Sequence, residues 1–381
     1  MRLMTMKRFT YALLAAAVLL GACARQECSG KLDPRDFEDT VNGKKTALYT
    51  LSNAQGMEVD ITNFGGRIVA IRVPDKDGRM QDVVLGFDNI EDYVHIPSDF
   101  GACIGRYANR ICHGQIEVAG RVCQLDTNNF GHTLHGGPTG WQYQVYDVVA
   151  ADEQSLSLQI VSPDGDNGFP GKVVATCTYT LEEDNALQIQ YHAVSDAPTV
   201  INMTNHSYFN LHGDPSKDVL DHLLWLNATQ FTPVDSSFMT IGVIADIPAE
   251  DVFDFYTAPK PIGKDIGRTH QQLAYGRGYD HNWVLCSSGG DAVKHAASLY
   301  CPQSGIRLDV YTTEPGIQVY SGNFLDGSVR GKYGISYEKR HAVCLETQKY
   351  PNSPNNPSWP SPLLEPEKPY SSATIFRFSV E

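Results

Sequence analysis

Every second side chain of Lys172-Val-Val-Ala-Thr-Cys-Thr-Tyr-Thr180 repeats one chemistry: Val173, Ala175, Cys177 and Tyr179 share a face, and threonines fill most of the other. A two-residue period lays an apolar stripe along one side of an extended chain, the pattern of a strand buried on one face. Residues 187–191 and 306–310 alternate as strictly, and similar runs recur at 57–64, 67–73, 155–161, 219–226 and 373–380. Turn residues such as Asp164-Gly165-Asp-Asn-Gly168 separate most of them. No long segment carries a 3.6-residue period, and the helix candidates are short, around 89–93 and 249–253. Nothing like a linker or a fixed-period repeat interrupts residues 40–381. The pattern predicts an all-β fold: one large antiparallel β-sandwich with a substantial core.

The chain opens Met1-Arg-Leu-Met-Thr-Met-Lys7-Arg8, followed by an apolar run from Tyr11 to Ala22 and then Cys23. A basic start, about a dozen apolar residues and small residues at their end read as a secretory signal, too short to persist as a membrane span. Leu20-Gly21-Ala22-Cys23 resembles the lipobox of bacterial lipoproteins, so residues 1–22 are expected to be a signal peptide and Cys23 an acylated mature N-terminus. Residues 23–39 then form a polar tether. The expected location is the bacterial cell envelope, with membrane contact only through that anchor. Losing Arg2, Lys7 and Arg8 with the signal takes the formal charge from -14 to about -17. So acidic a protein repels phosphates, which argues against nucleic acid as a partner. The eight remaining cysteines show no CxxC spacing, against a structural zinc site, and Cys177 and Cys344 read as small core residues.

Chemistry-bearing residues gather in six stretches. His341-Ala-Val-Cys-Leu-Glu346-Thr-Gln is a short apolar run ending in a carboxylate, followed by the rigid loop Tyr350-Pro-Asn-Ser-Pro-Asn-Asn-Pro. Glu346 is expected at the mouth end of a buried strand, where partial desolvation raises its proton affinity toward that of a general base; an ordinary strand-end glutamate paired with a cation fits the same letters. In Gly105-Arg-Tyr-Ala-Asn109-Arg110-Ile, Arg110 could fork two hydrogen bonds to a ligand oxygen and Asn109 could donate and accept. Asn128-Asn-Phe-Gly-His132-Thr-Leu-His135-Gly-Gly137 places two histidines three apart. On a strand those side chains diverge, so a metal reading is disfavoured and His135 beside the glycine pair reads as a hydrogen-bond donor. Ile201-Asn-Met-Thr-Asn205-His206-Ser-Tyr-Phe-Asn210 brings a titratable imidazole into polar company. Gly278-Tyr-Asp280-His-Asn-Trp283 and Glu314-Pro-Gly-Ile-Gln318-Val-Tyr-Ser-Gly-Asn323 add a carboxylate, amides and aromatic rings, the set that holds neutral polyols. Walker-A, GxGxxG and GxSxG patterns are missing, so nucleotide and α/β-hydrolase chemistry lack support.

Taken together, GRYANRI, LHGG, TNHSYFNL, GYDHNW, EPGIQVYSGNFLDG and LETQKYP resemble the aldose 1-epimerases, in that family's order and approximate spacing over roughly residues 40–381. The resemblance implies a β-supersandwich and interconversion of the α and β anomers of free hexoses such as glucose or galactose, with no cofactor. It assigns Glu346 as general base, His206 as general acid, His135 as a second active-site histidine, and Asn109, Arg110, Asp280 and Gln318 as sugar-binding residues. His132 receives no role. Two rival readings use the same residues: a carbohydrate-binding lipoprotein without catalysis, and a glycoside hydrolase, which needs two carboxylates flanking one bond, with Asp280 the motif-borne partner for Glu346.

Overall fold

The computed structural model describes residues 30–286 and 292–381. Its largest sheet has nine strands in the order Asp147–Ala151, Ser155–Ser162, Val173–Leu181, Ala186–Ser195, Tyr370–Val380, Ile306–Thr312, Lys294–Tyr300, Leu223–Leu226 and Lys260–Pro261. A six-stranded sheet runs Tyr208–Phe209, Val343–Gln348, Gly316–Tyr320, Asp280–Leu285, Ala228–Thr232 and Ala245–Asp246. Four more strands, Leu48–Ser52, Glu58–Thr62, Arg67–Pro74 and Met80–Asp82, make a third sheet near the N-terminus. Pairing within these three sheets is antiparallel throughout.

The alternation read from sequence is realised residue by residue: Val173, Ala175, Cys177, Tyr179 and Leu181 are buried and the residues between them half-buried. One apolar cluster joins the inner faces of all three sheets: Ile61 and Ile71, then Leu158, Ile189 and Phe376, then Ile317, Val319 and Leu345. Burying that shared face is the main stabilising contribution to a sandwich. The strands Asp280–Leu285, Gly316–Tyr320 and Val343–Gln348 depart from the pattern, being buried on both faces. Their second face carries the site.

Several local expectations change. The helix foreseen at 89–93 exists as Ile90–His95, capped by the Asn89 side chain, which accepts the Asp92 N–H at 2.8 Å. The one foreseen at 249–253 is a set of turns instead. Asp251 and Asp254 side chains accept the backbone N–H groups of Phe253, Tyr256 and Thr257, competing with helical bonding. Gln271–Gly276 is a helix the pattern missed, too short to display a period. The strand expected over 219–226 begins only at Leu223, because the Asp218 carboxylate holds the Leu220 N–H in a turn. The expected tether ends early: Pro34–Phe37 is a 3-10 turn whose Phe37 ring is buried beside Tyr93, and Asp39–Val41 pairs with Lys44–Thr46. The signal peptide, Cys23 and Cys28 lie outside the described residues. Among the described residues no helix is long and apolar enough to cross a membrane. Seven described cysteines are unpaired, and Cys177 and Cys344 are core residues, as expected.

Candidate active site

Register builds the site before any side chain is considered. Asn282 pairs with Gln318 and Gln318 with Glu346 across three neighbouring strands, while the next row on that face pairs Asp280, Tyr320 and Cys344. Because side chains alternate, Val343 and Leu345 enter the core and Glu346 faces the other way. Glu346 is the fourth of six strand residues, so it sits inside the strand rather than at the end expected for it. Tyr208 pairs with Cys344 on the adjoining strand, and the strand just before it, Thr204–His206, paired with Ala102–Ile104, brings His206 alongside Glu346. His206 Nε2 stands 3.5 Å from Glu346 Oε1.

Both groups are buried, and burial acts on them in opposite senses. Glu346 is held well above the usual carboxylate range, first by desolvation and then by the negative charges of Asp280 and Asp99; Arg110 opposes this. His206 is pushed below the usual imidazole range by desolvation, with Asp99 pulling the other way. The His206 ring stacks on Tyr208 at 5.0 Å between centroids and meets the edge of His135 at 5.2 Å.

His135 is pushed down to about 3 by burial, so it is neutral at physiological pH. Its Nδ1 accepts the Asn109 N–H at 3.2 Å, which assigns the ring proton to Nε2 and makes that nitrogen a donor. Glycine is required just after it: Gly136 has φ +84°, and a Cβ there would lie 2.1 Å from the Gly105 carbonyl oxygen. Arg110 donates through Nε to Asn129 Oδ1 at 3.0 Å, and its guanidinium lies 5.2 Å from the Phe238 ring centroid. Desolvation lowers its proton affinity, while Asp280 and Glu346 counter that. Asn109, at φ 65°, accepts the Arg110 N–H with its own Oδ1 at 2.8 Å. Asp280 Oδ1 accepts a bond from Gln318 Nε2 at 2.7 Å, and burial raises its proton affinity. The seven residues singled out from sequence therefore form one connected constellation.

His132 stands apart. Its Nδ1 accepts the His113 N–H at 3.1 Å and its Nε2 lies 3.0 Å from Ser237 Oγ, which itself donates to Asp235 at 2.6 Å. With both ring nitrogens committed, His132 has no lone pair for a metal, although Cys112 and His113 are close enough to join one. Arg106, in the same motif as Arg110, turns away and donates to the carbonyls of Pro170 and Gly171.

Sequence reasoning passed over several contributors. Tyr208 and Tyr320 line the His206 side, and Phe238 backs Arg110. Asn282 and Gln348 share a sheet face with Glu346, and their amide atoms are buried without a partner among the described residues, as are Gln318 Oε1 and Glu346 Oε2. Such unmatched groups are what a polyhydroxylated ligand satisfies. Asn282 and Gln348 stood inside quoted motifs; Asp99 stood in none.

The sequence profile of the aldose 1-epimerases matches residues 47–377. The chain belongs to the aldose 1-epimerase family. Galactose mutarotase of Mus musculus is 41% identical over 352 residues, covering 90% of this chain and 97% of the mouse protein. Aldose 1-epimerase of Escherichia coli strain K12 is 36% identical, covering 89% and 97%. In fold, an aldose epimerase homologue from C. elegans superposes with a TM-score of 0.80 at 30% identity, covering 88% of this chain and 99% of that one. A galactose 1-epimerase from Lactobacillus acidophilus gives 0.77 at 28%, covering 90% and 97%. The aldose 1-epimerase fold is thus the antiparallel sandwich that strand alternation predicted.

Proposed function

We propose that Glu346 and His206 carry out the aldose 1-epimerase reaction of this chain by addressing the two adjacent oxygens of one hemiacetal, O1 and O5. Glu346 takes the proton of the anomeric hydroxyl while His206 gives one to the ring oxygen. The C1–O5 bond opens to the free aldehyde, C1–C2 turns, and closure on the other face runs the same proton transfers backwards. The 3.5 Å contact between these groups carries the reading. Burial raises the proton affinity of Glu346, which strengthens it as a base, and lowers that of His206, which strengthens its protonated form as a donor. Each transfer contributes about 10²- to 10⁴-fold. His135 Nε2–H and Arg110 stabilise negative charge developing on oxygen. Asn109, Asp280 and Gln318 hold hydroxyl groups of a hexose such as glucose or galactose.

Polarimetry on freshly dissolved α-glucose and α-galactose tests the assignment. Glu346→Gln and His206→Gln should each slow mutarotation at least 100-fold, and unchanged rates in either would refute it. A sugar-binding protein without catalysis would have no use for a buried acid–base pair.

The N-terminal segment supports a setting outside the cytosol: cleavage before Cys23, acylation of that cysteine, and action on free sugars before uptake. Radiolabelled palmitate should enter the native protein and fail to enter Cys23→Ala. Recovery of unlabelled protein from the cytosolic fraction would overturn this.

A further inference from the structure

We propose that Asp99 is a positioning residue for His206, its carboxylate fixing the Nδ1 edge of the imidazole so that Nε2 delivers its proton to the sugar. The inference rests on the assignment of His206 as general acid. A carboxylate oxygen of Asp99 and one ring nitrogen each of His135 and His206 lie within 4.8 Å of one another. Asp99 Oδ1 and His206 Nδ1 are both buried, and neither has a hydrogen-bond partner among the described residues. The other edge of His206 is taken by Glu346 and one face by Tyr208. His206's own carbonyl, which also favours the protonated ring, accepts the Gly101 N–H at 3.0 Å as well. Asp99 adds an anionic acceptor beside the ring when His206 becomes doubly protonated, and its charge favours that state.

The backbone around Asp99 is locked for such a task. Arg67, fully buried, donates to the carbonyls on either side of it, Ser98 and Phe100, each at 2.9 Å, and to Gln142 O at 2.9 Å. Asn205, the neighbour of His206, donates to Gly101 O at 2.9 Å. Segment and imidazole are thus tied to one frame. A metal ion shared by Asp99, His135 and His206 is the competing use of the cluster. It fails on the donor set, because His135 Nδ1 accepts the Asn109 N–H, leaving its Nε2 protonated.

The charged and titratable groups facing His206 are Glu346, His135, Tyr208, Tyr320 and Asp99, with the Arg67 charge acting from behind. Removing the Asp99 charge strips support from the imidazolium and relieves repulsion on Glu346, so both groups lose proton affinity. Asp99→Asn should therefore move both limbs of the kcat/KM pH profile to lower pH. It should also reduce kcat about 10- to 100-fold, the scale of a misplaced catalytic group, with KM changed less than about 3-fold and part of the loss recovered in Asp99→Glu. NMR titration of the His206 ring nitrogens should show the same downward shift in Asp99→Asn. A His206 titration unmoved in a variant that melts like the wild type would overturn the role given to Asp99. A His206 titration that moves while the rate profile stays put would instead overturn His206 as the acid, and the inference with it.

Discussion

Replacing Glu346 by Gln tests the electrostatics of the site and its chemistry in one protein. The amide keeps the shape of the side chain but loses the charge and the proton-accepting oxygen. In the native site Glu346 Oε2 has no donor among the described residues, Oε1 reaches His206 only at 3.5 Å, and two further carboxylates raise its proton affinity against Arg110 alone. A buried group so poorly compensated costs about 1–3 kcal/mol. Unfolding entropy of about 2.1 cal/mol/K per residue over a chain of 381 residues converts this to a rise in Tm of about 1–4 °C. The sign depends on pH. A carboxyl whose folded pKa is raised contributes its stability below the unfolded value and loses it as pH rises through the folded one. The gain from Glu346→Gln should therefore be small near pH 4.5 and grow toward pH 8. Differential scanning calorimetry at both pH values, beside polarimetric rates, reads the two effects together. Activity should fall at least 100-fold while Tm at pH 8 rises. A variant less stable than wild type at pH 8, or one active within 10-fold, would refute the reasoning.

Three further outcomes follow from the geometry. Gly136→Ala should cost more than 2 kcal/mol in urea melts and abolish most activity, because its Cβ would meet the Gly105 carbonyl and the positive φ would be strained; wild-type stability would contradict the turn described. His135→Gln should lower kcat/KM about 10- to 100-fold, the loss of one donor to developing charge, without moving either limb of the pH profile, since His135 stays neutral over the working range. His132→Asn should lower stability by about 1 kcal/mol through its broken bonds to Ser237 and the His113 N–H, yet leave KM for galactose within about 2-fold.

The fold was legible where one face of a strand meets the core and the other meets water. In Val173–Leu181 the alternation is complete, and the structure reproduces it position by position. It was hidden where both faces are covered, as in Val343–Gln348, so Glu346 read as a strand-end residue although two more residues follow it in the ladder. Short elements escaped for a different reason. Six residues do not complete two helical turns, and at 249–253 side-chain carboxylates won the backbone donors that a helix would have used. Within the site, residues inside motifs rich in His, Asn and Gln announced their chemistry. Asp99 did not, since its only sequence context is a loop between a short helix and a strand, and its meaning comes from Arg67 holding the carbonyls beside it.

The account stands on one geometric claim, that the hemiacetal of one hexose meets Glu346 through O1 and His206 through O5. A crystal structure of the Glu346→Gln variant soaked with galactose tests this most directly. The anomeric oxygen should lie within about 2.6–3.2 Å of the residue 346 side chain, with O5 at a similar distance from His206 Nε2. A sugar bound elsewhere, or one whose O1 and O5 both face away from these two groups, would contradict it.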